Sequence, residues 1–339
     1  MSKKQLLIKI KEKIKSFINK FLLLVGFIAK YNPITKQRLK AFFSYLRRSW
    51  KSIAVILPLF LLSYYTIGGY VTNTINKNTS VEIMPQESGL NTVASMSYLI
   101  KREVDENMWT PNLPFIFPGY VLDNMPAFQT GVLDAVKSSV KVLYDVYASE
   151  DLKKAYDLLK YPPNIWILSK GENLALAPSS GAQYRKARKE LLKFNKEFEF
   201  PANKDEKVLH DLLAATEKKL NKISNSLEKQ VREVSSNWID LKADDVFYFN
   251  QGRIYGYYVI LKSVSVDFKT QIMKYKQYDK LTSVFKELDD ALAIEPMIVR
   301  NGEINSIGSA NHLMALNYYI TKACYYLSQI KNDIVRDVK

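Results

Sequence analysis

The sequence predicts a mainly α protein: a single transmembrane helix near the N-terminus, followed by a multi-helix domain built on long antiparallel helices. Three observations lead there. Residues 52–71, SIAVILPLFLLSYYTIGGYV, carry no charge. Beyond them, apolar residues recur at spacings of three and four, the helical period. The last such run, Leu313, Leu316, Ile320, Ala323, Leu327, Ile330 and Ile334, reads as a heptad seam.

The first element is a basic arm, residues 1–51. It holds fourteen Lys or Arg and one acid, Glu12, leaving 35 basic against 33 acidic residues in the remainder. The arm is therefore +13 and the rest +2, out of a total of +15. Within it, Leu7, Ile10, Ile14, Phe17 and Phe21 mark one face of an amphipathic helix over 5–29. Lys9, Lys11, Lys13, Lys15 and Lys20 flank that face. A basic amphipathic helix beside an anchor is expected on the anionic inner leaflet, although the same lysines also serve to enforce topology. No nucleic-acid module is recognisable, and none is expected as a partner.

The second element is the transmembrane helix, residues 52–71. At 1.5 Å per residue its length is about 30 Å, the thickness of a hydrocarbon core. Trp50 stands at one end, and Tyr64, Tyr65 and Tyr70 at the other, as interfacial aromatics do. Pro58 predicts a kink and not a break. Arg47, Arg48 and Lys51 precede the segment, and Lys77 is the first charge after it. The positive-inside bias then puts the N-terminus in the cytoplasm and the domain outside. The segment is too long and too far from residue 1 for a cleaved signal, so it reads as a signal anchor.

Residues 72–90 read as a polar linker, and 91–339 as the helical domain. Helices are expected over 91–108, 127–148, 150–160, 181–198, 204–241, 243–275, 278–293 and 310–335. Ser149 is placed to cap the third of these, which stops at Tyr161-Pro162-Pro163. Four prolines (Pro111, Pro114, Pro118, Pro126) exclude regular helix from 110–126. A strand or hairpin is weakly signalled within 164–180. Gly252 and Gly256 stand four apart inside 243–275. Helix 204–241 offers an apolar stripe to match the 313–334 seam; oligomerisation through that seam is its other use.

Cys324 is alone, which excludes an intrachain disulfide. His210 and His312 are the only histidines, too few for a histidine-rich metal site, and no metal or cofactor is expected. Phosphate-loop, dinucleotide, zincin and nucleophile-elbow motifs are absent. One polar constellation remains, around the proline-rich break: Arg102, Glu103, Asp105, Trp109, Asn112, Asp123, Asn124 and Gln129. Polar groups on an irregular loop beside an aromatic suit a small binding pocket. The plainer reading pairs Arg102 with a neighbouring acid and uses Asp123 or Asn124 to start a helix. Glu103 with Asp123, or Asp244 with Asp245, supply paired carboxylates. His312, opening the last helix, is a candidate base or a hydrogen-bonding group of the cap region.

Several strings in the domain are distinctive: KREVDENMWTPN (101–112), LDNMPAFQTG (122–131), YPPNIWILS (161–169), APSSGAQYRKAR (177–188), DDVFYFNQGRIYGYYVILKSVSVDF (244–268) and NHLMALNYYITKA (311–323). Through them, residues 52–335 resemble an uncharacterised family of bacterial inner-membrane-anchored proteins known as a domain of unknown function. The resemblance implies a periplasmic home for the domain and brings no catalytic residues. The expectation is a membrane-anchored envelope protein that acts as a non-enzymatic interaction or scaffolding module, with lipid and an envelope protein as partners. The alternative is an enzyme or binder of peptidoglycan or lipid using a pocket around residues 102–129.

Overall fold

In the computed structural model the described residues are 37, 41, 44, 45, 48–72, 74–80, 89–121, 123–167, 177–199, 205–234, 241–302 and 310–336. The basic-arm helix over 5–29, with Lys9, Lys11, Lys13, Lys15 and Lys20, lies outside them. The chain forms two compact units, residues 1–64 and 65–339.

Helix α1, Trp50–Thr72, is continuous through Pro58. It is long and apolar enough to cross a membrane, and only 6% of its most apolar window is buried. A core helix of a soluble domain would be mostly covered; this one is not.

The larger unit is all helix among its described residues, with one isolated bridge between Asn301 and Asn311. Its helices are α2 (Asn91–Lys101), α3 (Asn124–Tyr147), α4 (Glu150–Leu159), α5 (Ser180–Glu197), α6 (Asp205–Val234), α7 (Leu241–Asp267), α8 (Lys269–Lys274), α9 (Tyr278–Leu292) and α10 (His312–Arg336). The central pair is α3 with α7. Helices α2, α4 and α5 pack together against that pair, while α6, α9 and α10 form a second group against it.

Small residues explain the central pair. A Cβ on Gly131 would stand 2.0 Å from the Phe249 carbonyl, and one on Gly252 would stand 2.0 Å from that of Phe128. One turn on, Gly256 faces Ala135. The two backbones touch because no side chain separates them. Contacts rise together in number along both helices, from Phe128 with Gly252 to Ala135 with Gly256, so α3 and α7 run in the same direction. The long helices of the second group run antiparallel. Lys331 meets Glu217 at 2.6 Å where Asn317 meets Glu228 at 3.4 Å, and α9 pairs with α10 through Lys280–Asp333 and Lys322–Glu287. The heptad seam of α10 is buried from Leu313 to Ile334, against α6 and α9.

The described elements depart locally from these expectations. The helix expected over 91–108 changes at Arg102 into a π turn, Arg102–Glu106, in which Asn107 N–H reaches back five residues to the Arg102 carbonyl at 2.9 Å. Pro126 lies inside α3, in its first turn, where a missing N–H leaves no bond unmade. The helix expected over 243–275 breaks at Phe268, whose φ of −111° and ψ of 25° separate α7 from α8. Ser149 occupies the N-cap position of α4 without a side-chain cap bond. No strand forms at 164–167 or 177–180, and 168–176 lies outside the described residues.

Residues 74–80, read from sequence as linker, are pinned to the domain. Arg102 donates to the Asn76 carbonyl. Tyr255 Oη donates to Asn78 O at 3.2 Å, Lys262 Nζ to Thr79 O at 3.1 Å, and Lys77 Nζ to Ile294 O at 3.3 Å.

Candidate functional site

The π turn after α2 carries two adjacent charges into the interior. Arg102 is 5% exposed and Glu103 is fully buried. Charges at such depth persist only with partners. Arg102 Nη1 donates to Glu103 Oε1, and its guanidinium lies 4.5 Å from the centre of the Tyr255 ring on α7. Asn107 Nδ2 donates to Glu103 Oε2 at 3.4 Å. Burial pushes the Glu103 carboxyl above its ordinary range, against the pull of Arg102.

Gln129, on α3, ties this pair to the loop that follows. Its side chain is fully buried, and four bonds use it in both directions. Oε1 accepts from Thr110 N at 2.9 Å and Thr110 Oγ1 at 2.7 Å, while Nε2 donates to the carbonyls of Glu103 and Met108, each at 3.0 Å. Met108 takes a left-handed φ of 55°, turning the chain out of the helix. Trp109 packs edge-on against Tyr184, with centroids 5.0 Å apart, and its Nε1 donates to Pro163 O at 2.8 Å. Asn112 Nδ2 donates to Ile165 O at 2.8 Å. Just outside, Asp105 binds Arg185 of α5 at 2.6 Å.

The structure thus brings Arg102, Glu103, Trp109 and Gln129 together as a knot whose polar atoms bond to one another and to nearby carbonyls. Asn112 stands at its edge. Asp123 and Asn124 lie elsewhere, at the start of α3. Asp123 faces Asp244 and Asp245 at the start of α7. Burial, and then the charges of Asp123 and Asp245, push the Asp244 carboxyl up to about 6. His312 is in a third place. Its Nδ1 accepts the Arg300 N–H at 2.9 Å, clasping the loop before α10, and burial lowers its pKa. Among the described residues, no group of three His, Cys, Asp or Glu is arranged to hold a metal.

An open cleft of about 690 Å³ lies beside the end of α1, lined by Tyr65, Tyr70, Lys77, Asn124, Tyr248 and Glu295 among others. Arg102, Glu103, Trp109, Asn112 and Gln129 do not line it. Lys77 is paired with Glu295 at 3.2 Å, and burial lowers its pKa despite that partner. Asn124 Oδ1 is buried there with no hydrogen-bond partner.

Sequence reasoning missed two polar residues that organise α2 and the turn after it. Tyr255 seats Arg102. Asp267, at the end of α7, accepts from Asn91 N and Nδ2 at 2.9 and 2.7 Å, and from Thr92 N and Oγ1 at 2.8 and 2.6 Å. It caps α2 from 175 residues away. The only signal for either was their place in the distinctive string 244–268.

Residues 206–335 match the model of a family described as an uncharacterised protein conserved in bacteria (DUF2333). The resemblance to an uncharacterised bacterial family is thereby shown, over a shorter stretch than the 52–335 suggested by its strings; membrane anchoring is no part of that match. No curated protein and no solved structure matches the chain.

Proposed function

We propose that this chain is an envelope protein held in the bacterial inner membrane by α1, with its basic arm cytoplasmic and its helical domain periplasmic. We further propose that the domain is a non-enzymatic interaction or scaffolding module. The observation that carries the reading is the bare surface of α1. Val55, Ile56, Leu59, Phe60, Leu62 and Ile67 are each more than half exposed along it. Moving each such side chain from water into an apolar phase contributes about 1.5–3 kcal/mol, which favours lipid as its surroundings. The flanking Arg47, Arg48 and Lys51 support the orientation. On this reading Lys9, Lys11, Lys13, Lys15 and Lys20 lie on the anionic leaflet, each contributing about 1 kcal/mol at most. The closed bonding around Gln129 supports an architectural role for the polar knot.

A reporter enzyme active only outside the cytoplasm, fused after Lys339, is expected to be active. Activity confined to a cytosolic reporter would overturn topology and compartment together. Incubation of the detergent-solubilised chain with peptidoglycan and with phospholipid is expected to release no product; turnover would overturn the non-enzymatic role. The second reading, a binder of a lipid or peptidoglycan fragment, is favoured by one observation: Asn124, which lines the cleft together with Lys77, holds a buried side-chain oxygen without a hydrogen-bond partner.

A further inference from the structure

We infer that the proline-rich loop 113–117 dips into the bilayer beside the C-terminal turns of α1, with Phe115 and Ile116 in contact with lipid. The inference rests on the membrane reading of α1 and adds a second point of membrane contact. Three contacts lay the loop along the helix. A Cβ on Gly68 would stand 2.5 Å from Pro118 Cγ, so the proline ring rides directly on that glycine. Gly119 sits against Thr72, with its Cβ position 2.7 Å from Thr72 Oγ1. Tyr65 Oη donates to the Phe115 carbonyl at 2.8 Å. Going backward from Gly119 to Phe115, the loop therefore follows α1 from its last residue toward Tyr65. Tyr65 is seven residues before Thr72, about 10 Å along the axis. That is the depth at which interfacial segments bury apolar side chains, about 5–10 Å.

The chemistry of the loop suits that place. From Pro111 to Leu122 no residue is charged. Phe115 is 70% and Ile116 54% exposed, although both are large and apolar. Backbone polar groups entering lipid need partners. Here Pro111, Pro114 and Pro118 have no N–H, Phe117 N–H bonds Pro114 O at 2.9 Å, and Tyr120 N–H bonds Phe117 O at 3.1 Å. A second apolar loop stands nearby: Glu295 and Pro296 share the cleft with Tyr65 and Tyr70, and the next two residues, Met297 and Ile298, are 98% and 70% exposed. Lipid is the occupant that α1 itself supplies to both.

The test uses the full chain with Cys324→Ser, reconstituted in phosphatidylcholine–phosphatidylglycerol vesicles containing spin-labelled phosphatidylcholine. Single cysteines at Leu61, Phe115, Met297 and Tyr278 carry an environment-sensitive fluorophore, and each labelled protein must melt as the parent does. Ile116→Cys replaces Phe115→Cys should that variant melt lower. Loss of fluorescence at 61, 115 and 297 but not at 278 is expected. Quenching at 61 without quenching at 115 would overturn the dipping loop and leave the anchor standing. No quenching at either would remove the anchor, and the loop with it.

Discussion

Gly252 of α7 lies directly on the main chain of α3 at Phe128, so close that a methyl group would fall 2.0 Å from the Phe128 carbonyl oxygen. The contact is reciprocal, since Gly131 meets Phe249 in the same way. Backbone has no rotamer with which to yield. Gly252→Ala or Gly131→Ala must push the two central helices apart and is expected to lower stability by about 1–3 kcal/mol or more. Gly181→Ala is the control: its nearest neighbour is Val104 Cγ1 at 3.4 Å, and its effect should stay within about 1 kcal/mol. Denaturant titration of the chain in detergent reads both. Equal midpoints for Gly252→Ala and the parent would show that the helices separate freely.

Arg102 and Glu103 give a different kind of prediction, because each is the other's main charge partner in the interior. Arg102→Met strands a buried carboxyl, and Glu103→Gln strands a buried guanidinium. Each single change is expected to destabilise by about 3–5 kcal/mol. The double variant removes both charges and should fall well short of the sum. A double-mutant cycle on unfolding free energies checks this. Additive losses would mean the two side chains do not depend on one another.

The N-terminus of α2 is held by Asp267, whose two oxygens accept four hydrogen bonds from Asn91 and Thr92. Asp267→Ala leaves two helix-terminal N–H groups without that acceptor, near the positive end of the helix dipole. A loss of about 2 kcal/mol is expected, the upper end for a cap. Asp267→Asn keeps an acceptor for part of the set and should lose less. Hydrogen exchange at the first turn of α2 is the matching readout, with much faster exchange expected in the alanine variant and a smaller increase in the asparagine variant. Unchanged exchange there would assign the cap to another group.

These residues show where sequence reading reaches its limit. The helices were legible because period, prolines and charge are local: α10 shows its seam in its own residues, and α4 stops where Tyr161-Pro162-Pro163 says it must. Gly252 and Gly256 were visible as a pair, but their partners Phe128 and Ala135 are more than a hundred residues away. The same holds for Asp267 with Asn91. The polar constellation was legible as composition and not as geometry. Arg102, Glu103 and Gln129 converge, whereas Asn124 faces the cleft and His312 clasps a distant loop. The break at Phe268 had no proline or glycine to announce it.

Asp244 supplies the pH dependence. Burial, reinforced by Asp123 and Asp245, raises its carboxyl to about 6 from an ordinary 3.8. Between those values the folded chain binds a proton that the unfolded chain has released. By linkage, the contribution of this group is fully present below pH 4 and is lost as pH rises through 6. A shift of this size carries about 1.4 kcal/mol per unit, but the side chain is only half-buried, and solvent screening reduces the expected effect to about 1 kcal/mol. Asp244→Asn cannot ionise. Its melting temperature should therefore exceed the parent's at pH 8 and match it near pH 4. Melts of both proteins in detergent across pH 4–8 measure the difference directly. If the two curves stay parallel throughout that range, the three aspartates are not pressing their charges on one another.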